Sequence, residues 1–240
     1  MAVQLVALCI DAHDPFRLAR FWVGVLGWDL AEDHHGDGIA LAPVDDTGFR
    51  LRFLPSEAEK VRQNQMHFDL TSLAPEMQEQ TVARALKLGG RHHDVGQGPD
   101  ATHVVLADPE GNEFCVIEAG NNFLAECGFI GALASDGSQE VGYFWSRALG
   151  WPLVWDQDEE TAIRSPRGGP KITWGGPPFT AKTGRNRLRF DLAADGDPAT
   201  ELDRLVGLGA ARTDAEPGPY GEVEMTDPDG NEFTLWPGRP

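Results

Sequence analysis

Apolar and polar positions along the chain change period at regular intervals, and the changes mark out the elements. Residues 3–10 (VQLVALCI) are a short apolar run suited to a strand. Asp14 is placed to cap a helix whose first position is Pro15, with Leu18, Phe21, Trp22 and Val25 at helical spacing and Gly27 as its stop. Short strands are expected around 38–42 and 49–54, between turns of Gly, Pro and Asp. The strand QMHFDL follows, then a helix over 75–88 opened by Pro75 and closed by Gly89 and Gly90. HVVLA (103–107) and EFCVIE (113–118) are joined by DPEGNEF, which has Asp, Pro and Gly where a hairpin turn needs them.

The same order returns in the second half. Ser138 is the expected cap of a helix with Val141, Phe144, Trp145 and Leu149 on its apolar stripe and Gly150 as its stop. Strands are expected at 160–164 and 170–174, and a helix from Pro198 to Gly207 or Gly209. The DPDGNEF turn then joins EVEMT (222–226) to EFTLW (232–236). Three landmark pairs, RFWVGVLGW/YFWSRALGW, HFDL/RFDL and DPEGNEF/DPDGNEF, recur at offsets of 123, 122 and 119 residues, so the chain is a duplication with small insertions. The boundary falls at EAGNNFLAEC, giving copies at 1–120 and 127–238, and each copy reads as β-α-β-β twice.

Composition narrows the function. The formal net charge of −18 would repel a phosphate backbone, so nucleic acid is not an expected partner. It either serves solubility or favours a cationic small molecule. No stretch approaches the ~20 apolar residues of a membrane span, and the N-terminus lacks the pattern of a signal peptide. The expectation is a soluble, cytoplasmic protein, monomeric or homodimeric. Cys9, Cys115 and Cys127 show neither disulfide nor zinc-site spacing. Phosphate-loop, dinucleotide, nucleophile-elbow and HExxH motifs are missing from the sequence.

Taken together, the Asp/Pro-started helix ending in FWxxxLGW, the HFDL strand and the DPEGNEF hairpin resemble the vicinal oxygen chelate superfamily of glyoxalase I, bleomycin-resistance proteins and extradiol dioxygenases. The resemblance implies an α+β fold of tandem glyoxalase-like domains, each built of two βαβββ modules forming a cup-shaped mixed sheet. Metal-using members of that superfamily place ligands on the first and last strands of each module, on the cup's inner face. Carried onto this sequence, those positions are Ala7, a residue within Leu51 to Phe53 (Arg52 being the polar one), His67 and Cys115 in the first copy. In the second they are Ile130, a position near Thr173, Arg189 and Thr234. This set implies a metal site largely lost, with no cofactor expected and a divalent metal as the alternative. All seven histidines lie in the first copy.

Strand alternation puts His67 and Asp69 on one face as a candidate acid/base pair, and Arg189 and Asp191 on one face as a candidate polar clamp. Local ion pairing is the competing reading of both. His34, His35, His92 and His93 are read as exposed loop residues. A His67, His103 and Glu113 metal site is a minor alternative. Trp155, Trp174 and Trp236 lie on strands and would form an aromatic wall if they lined the cup; packing between modules is the alternative. With Cys115 and Thr234, these residues make up the candidate ligand site. Two functions follow. One is a binder of a small organic ligand, aromatic or cationic, and the other is a lyase, isomerase or dioxygenase-type enzyme using His67 with or without a divalent metal.

Overall fold

The computed structural model describes residues 3–33, 38–98, 100–179 and 182–238, and over these the chain forms four βαβββ modules. The first comprises β1 (Gln4–Ala12), α1 (Pro15–Leu26), β2 (Asp29–Ala31), β3 (Ile39–Ala42) and β4 (Arg50–Pro55). The second comprises β5 (Met66–Leu70), α2 (Pro75–Lys87), β6 (Arg91–His92), β7 (Val104–Ala107) and β8 (Glu113–Val116). The third comprises β9 (Ile130–Ser135), α3 (Gln139–Leu149), β10 (Leu153–Gln157), β11 (Glu160–Arg164) and β12 (Lys171–Trp174). The fourth comprises β13 (Leu188–Ala193), α4 (Pro198–Leu208), β14 (Ala211–Arg212), β15 (Val223–Thr226) and β16 (Glu232–Trp236). The expected caps form: the Asp14 side chain accepts from the Arg17 N–H, Ser138 accepts from the Val141 N–H, and Gly27 and Gly150 adopt left-handed conformations. Each module also has a short strand after its helix, β2, β6, β10 or β14, of which the sequence pattern marked only β10, through Trp155.

The strands form two open, mixed, eight-stranded sheets. The first runs β14-β15-β16-β13-β1-β4-β3-β2 and the second β10-β11-β12-β9-β5-β8-β7-β6. Each sheet therefore takes one module from each copy: first with fourth, and second with third. The joins are antiparallel, β1 against β13 (Cys9 opposite Arg189) and β5 against β9 (His67 opposite Ala134). Residues that face one another in a cup come from different copies, and the candidate positions regroup accordingly.

The helices hold the two modules of each copy together. Trp22 of α1 packs on Phe68 and Phe114 of the second sheet, at ring-centroid distances of 4.9 and 5.2 Å. In the second copy Trp145 of α3 packs on Phe190 and Phe233 of the first sheet at 5.1 and 5.2 Å. One core cluster joins both sheets and the helices, with Leu8, Ile10, Phe53, Phe68, Leu133 and Leu192 among its buried residues.

The repeated turn is built into the same contacts. Asp108 is fully buried and accepts the indole N–H of Trp22 at 3.3 Å, the N–H groups of Glu110 and Asn112 at 2.9 Å, and the Asn112 amide at 2.9 Å. Asp227 accepts the Trp145 indole N–H at 3.1 Å in the same way. Burial pushes both carboxyls up to about 6, against the pull of those hydrogen bonds. The third position of each turn reaches the helix start. Glu110 accepts the N–H groups of His13 and Asp14, and Asp229 accepts the N–H and hydroxyl of Ser138. Gly111 and Gly230 have φ of 85° and 82°, which the turn requires of its glycine. The FWxxxLGW and DPxGNEF landmarks thus recur together because they are hydrogen-bonded to each other.

Candidate functional site

The two concave faces carry different chemistry. In the first sheet, alternation sends Leu8, Ile10, Phe190 and Leu192 to the core, leaving Cys9, Asp11, Arg189 and Asp191 on the opposite face. Arg52 of β4 lies beside Cys9 and meets them at the centre of the cup. Its guanidinium bonds Asp191 at 2.5 Å and Asp33 at 3.0 and 3.1 Å, and all three side chains are at most 5% exposed. The Cys9 thiol donates to Asp191 at 2.9 Å; burial pushes its pKa well up, and the Asp191 charge adds to this. Arg189 forms a two-pronged pair with Asp11, both contacts 2.7 Å, and does not pair with Asp191. The expected Arg189–Asp191 clamp is therefore replaced by two crossed pairs, because β1 and β4 bring Asp11 and Arg52 into reach.

Two cavities flank this floor. One, of about 300 Å³, is lined by Cys9, Arg52, Arg189, Asp191, Thr234 and Trp236, with Arg185, Glu216, Glu222 and Glu224 towards the rim. The other, of about 450 Å³, lies beyond Arg52 and Asp33, between Ala7, Ala40, Phe49 and the Asp45–Asp46 loop. Trp236 lies against the Arg52 guanidinium at 5.3 Å and against Tyr220 at 6.2 Å.

In the second sheet, Phe68 and Leu70 go to the core while His67, Asp69 and Cys115 share the concave face, with Asp69 and Cys115 on one rung. His67 Nε2 lies 3.3 Å from Asp69 Oδ1. Burial works against the imidazolium, but hydrogen bonds to Asp69 and Cys115 outweigh it and push its pKa up to about 10. A small apolar cluster of Val105, Cys115, Ile117, Leu124 and Ala132, with Phe123 against it, covers the floor of this cup. The inter-copy segment supplies Phe123 and Leu124, and Lys171 sits 4.0 Å over the Phe123 ring.

The structure separates several residues grouped by sequence. Trp174 does not line a cup: it is 2% exposed and points into the core with Ile172, since Lys171 and Thr173 take the concave face. Trp155 stands at the second cup's edge against Phe123, centroids 5.8 Å apart, and Trp236 belongs to the first, so the three tryptophans form no common wall. Ile130 is likewise a core residue, and Ala132 faces Asp69 instead. Glu113 is held by Lys60 at 2.5 Å and by the Asn64 N–H at 3.1 Å. His103 lies one residue beyond the Val104–Val116 pair, near Glu118, on the far side of the Asp69–Cys115 rung from His67. The His67, His103 and Glu113 grouping therefore does not assemble. Of the loop histidines, His92 and His93 flank the end of β6, with His93 3.6 Å from Glu113, whereas His34 and His35 lie outside the described residues. Cys9, Asp11 and Asp33 were not among the sequence candidates, although Cys9 and Asp11 alternate with Ala7 on β1.

A metal fits these cups unequally. The first puts at its centre a guanidinium, which has no atom to ligate a metal, with Asp33 and Asp191 bound to it. The second offers His67, Asp69 and Cys115 with donor atoms within 4.8 Å of one another, a mixed N, O and S set suited to a divalent ion. Among the described residues, no helix is long and apolar enough to cross a membrane.

Comparison with known proteins agrees with this architecture. Maize glyoxalase I superposes with a TM-score of 0.66 at 14% identity, covering 98% of this chain and 92% of that one. A candidate dioxygenase from Bacillus subtilis superposes with a TM-score of 0.65 at 14% identity, covering 100% and 86%. At that identity the likeness shows the fold. No curated protein matches the sequence at a significant level. The sequence profile of the Glyoxalase-like domain matches residues 7–117 and 132–236, both copies over nearly their full length. The chain thus belongs to the glyoxalase-like domain family, within the vicinal oxygen chelate superfamily, and carries that domain twice.

Proposed function

We propose that this glyoxalase/bleomycin-resistance-like protein binds a small polar or cationic organic molecule in the first cup, without a metal there. The observation that carries the reading is Arg52, whose guanidinium, held by Asp33 and Asp191, stands at one of the positions to which the family resemblance assigns a metal ligand. Next to it is a cavity large enough for a small molecule. The lining has three arginines, Arg52, Arg185 and Arg189, against four carboxylates, Asp191, Glu216, Glu222 and Glu224, and Asp11 and Asp33 add two more behind them. The excess is negative, which favours a cationic group on the ligand. Recognition rests on hydrogen bonds and charge more than on stacking, because Trp236 is already flanked by Arg52 and Tyr220. The test is calorimetric titration with a panel of cationic and neutral natural products. Saturable binding weakened by Glu222→Gln and Glu224→Gln supports the reading, and failure of every compound to bind counts against it.

A second reading is favoured by the His67, Asp69 and Cys115 cluster, which would hold a divalent ion in the second cup and make it a metal-dependent lyase, isomerase or dioxygenase-type site. Such an ion would supply Lewis-acid polarisation of a bound oxygen. His67 must give up its proton to ligate, so binding would release protons. Elemental analysis and cobalt(II) titration discriminate: a stoichiometric ion lost in His67→Ala would establish this site.

A further inference from the structure

The duplication lets the molecule be compared with itself at one more place, the start of the first helix in each copy. In the first copy the Asp11 N–H donates to the Arg187 carbonyl at 3.0 Å, and in the second the Asp136 N–H donates to the Gln65 carbonyl at 2.9 Å. Arg187 and Gln65 are therefore counterparts, as the HFDL/RFDL alignment also requires. The Arg187 guanidinium fills the space beside its helix start. It donates to the Asp11 carbonyl at 2.8 Å and the Ala58 carbonyl at 3.5 Å, and faces Glu110 at 3.4 Å. Glu110 meanwhile accepts the N–H groups of His13 and Asp14 at 3.1 and 3.0 Å, so one carboxylate serves both helix and guanidinium.

In the second copy the Gln65 amide N–H₂ donates to the Asp136 carbonyl at 3.0 Å and its Oε1 accepts from the Asn186 amide at 3.2 Å, and it brings no charge to the helix start. The acid is retained as Asp229, one methylene shorter, bound to the Ser138 N–H at 2.7 Å and hydroxyl at 2.8 Å. The space that Arg187 fills in the first copy is here a cavity of about 250 Å³, whose lining includes Gln65, Asp136, Ser138, Phe179 and Asp229. Arg62 and Lys182 also line it, but both are engaged: Arg62 donates to the Thr183 carbonyl and to Asn186 Oδ1, and Lys182 pairs with Glu232 at 2.5 Å.

We propose that this cavity binds the guanidinium or ammonium head of a small ligand, taking the place that the Arg187 guanidinium occupies in the first copy. Asp229 and Asp136 supply the charge, the Asp136 carbonyl a neutral acceptor, and the exposed Phe179 ring a face for the cation. The site is separate from both cups and does not depend on either reading of them.

The probes are propylguanidinium and its neutral isostere propylurea, titrated into the full chain by calorimetry and by protein-detected NMR. Saturable binding of the cation with shifts at Gln65, Ser138 and Phe179, and binding of propylurea weaker by about tenfold or more, is expected from the loss of one charge-assisted hydrogen bond. Gln65→Arg should fold, since its counterpart position already carries arginine. It should fill the cavity, abolish cation binding and raise Tm. Asp229→Asn, which keeps an acceptor for Ser138, should weaken the cation about tenfold. No saturation with propylguanidinium, equal affinity for propylurea, or unchanged binding in Gln65→Arg would each overturn the proposal. Ligands of the first cup bind Gln65→Arg as they bind the native chain, which keeps the two sites apart.

Discussion

Arg52 is the residue on which the first cup depends, and replacing it with methionine, similar in reach but uncharged, tests the reasoning directly. The guanidinium faces two carboxylates, Asp33 at 3.0 Å and Asp191 at 2.5 Å, with side chains only 4% and 3% exposed. Removing it strands both charges in a place water hardly reaches, for which the penalty is about 3–5 kcal/mol. In a chain of this length that corresponds to a fall in Tm of about 6–20 °C. Urea unfolding of native and Arg52→Met protein at neutral pH gives the loss, and calorimetry gives the shift. The triple variant Arg52→Met, Asp33→Asn, Asp191→Asn should recover much of the loss. If Arg52→Met unfolds within about 1 kcal/mol of the native protein, as variants of exposed ion pairs do, the cup is wetter than the geometry implies and Arg52 is not its keystone.

Two further outcomes are expected. The His67 pKa is raised from its ordinary value to about 10, so its stabilising contribution is fully present below the unfolded value and is lost as pH rises through about 10. The stability gap between native and His67→Gln protein should therefore be widest below about pH 6.5, shrink as pH rises past that value and close by about pH 10; a gap constant across that range would contradict the imidazolium. Asp108→Asn puts an amide N–H₂ among donors that now point at a carboxylate. It should cost about 2–3 kcal/mol and shift Trp22 emission, and an unchanged spectrum and midpoint would show that the turn and helix are not locked together.

Much of the fold was legible because local chemistry specifies it: Asp14, Ser138, Gly27 and Gly150 act where their types predict. The short strands escaped because β6 and β14 have two residues each, too few to show alternation. The pairing of modules was hidden for another reason. All four have a first strand with the same one-sided apolar pattern, so nothing local to β1 selects β13 over β5. Strand alternation alone therefore groups Arg189 with Asp191, whereas the fold pairs them with Asp11 and Arg52. Trp174 carried a readable signal in its neighbour: a concave-facing Thr173 obliges the next residue to face the core. The plug over the second cup was not readable, since Phe123 and Leu124 belong to a segment without periodicity.

The crossed pairing of the sheets bears on how the chain is made. Synthesis proceeds from the N-terminus, and β1 emerges long before β13, some 180 residues later. The inner sheet of the sequence, second module with third, closes once β12 has appeared. The outer one waits for the final quarter of the chain, its β1 edge unpaired on the nascent polypeptide meanwhile. The first cup, with Arg52, Asp191 and their cavity, is therefore completed after the second. A ribosome stalled after the first copy would release a half-molecule with two open strand edges, β1 and β5, each able to pair with another half.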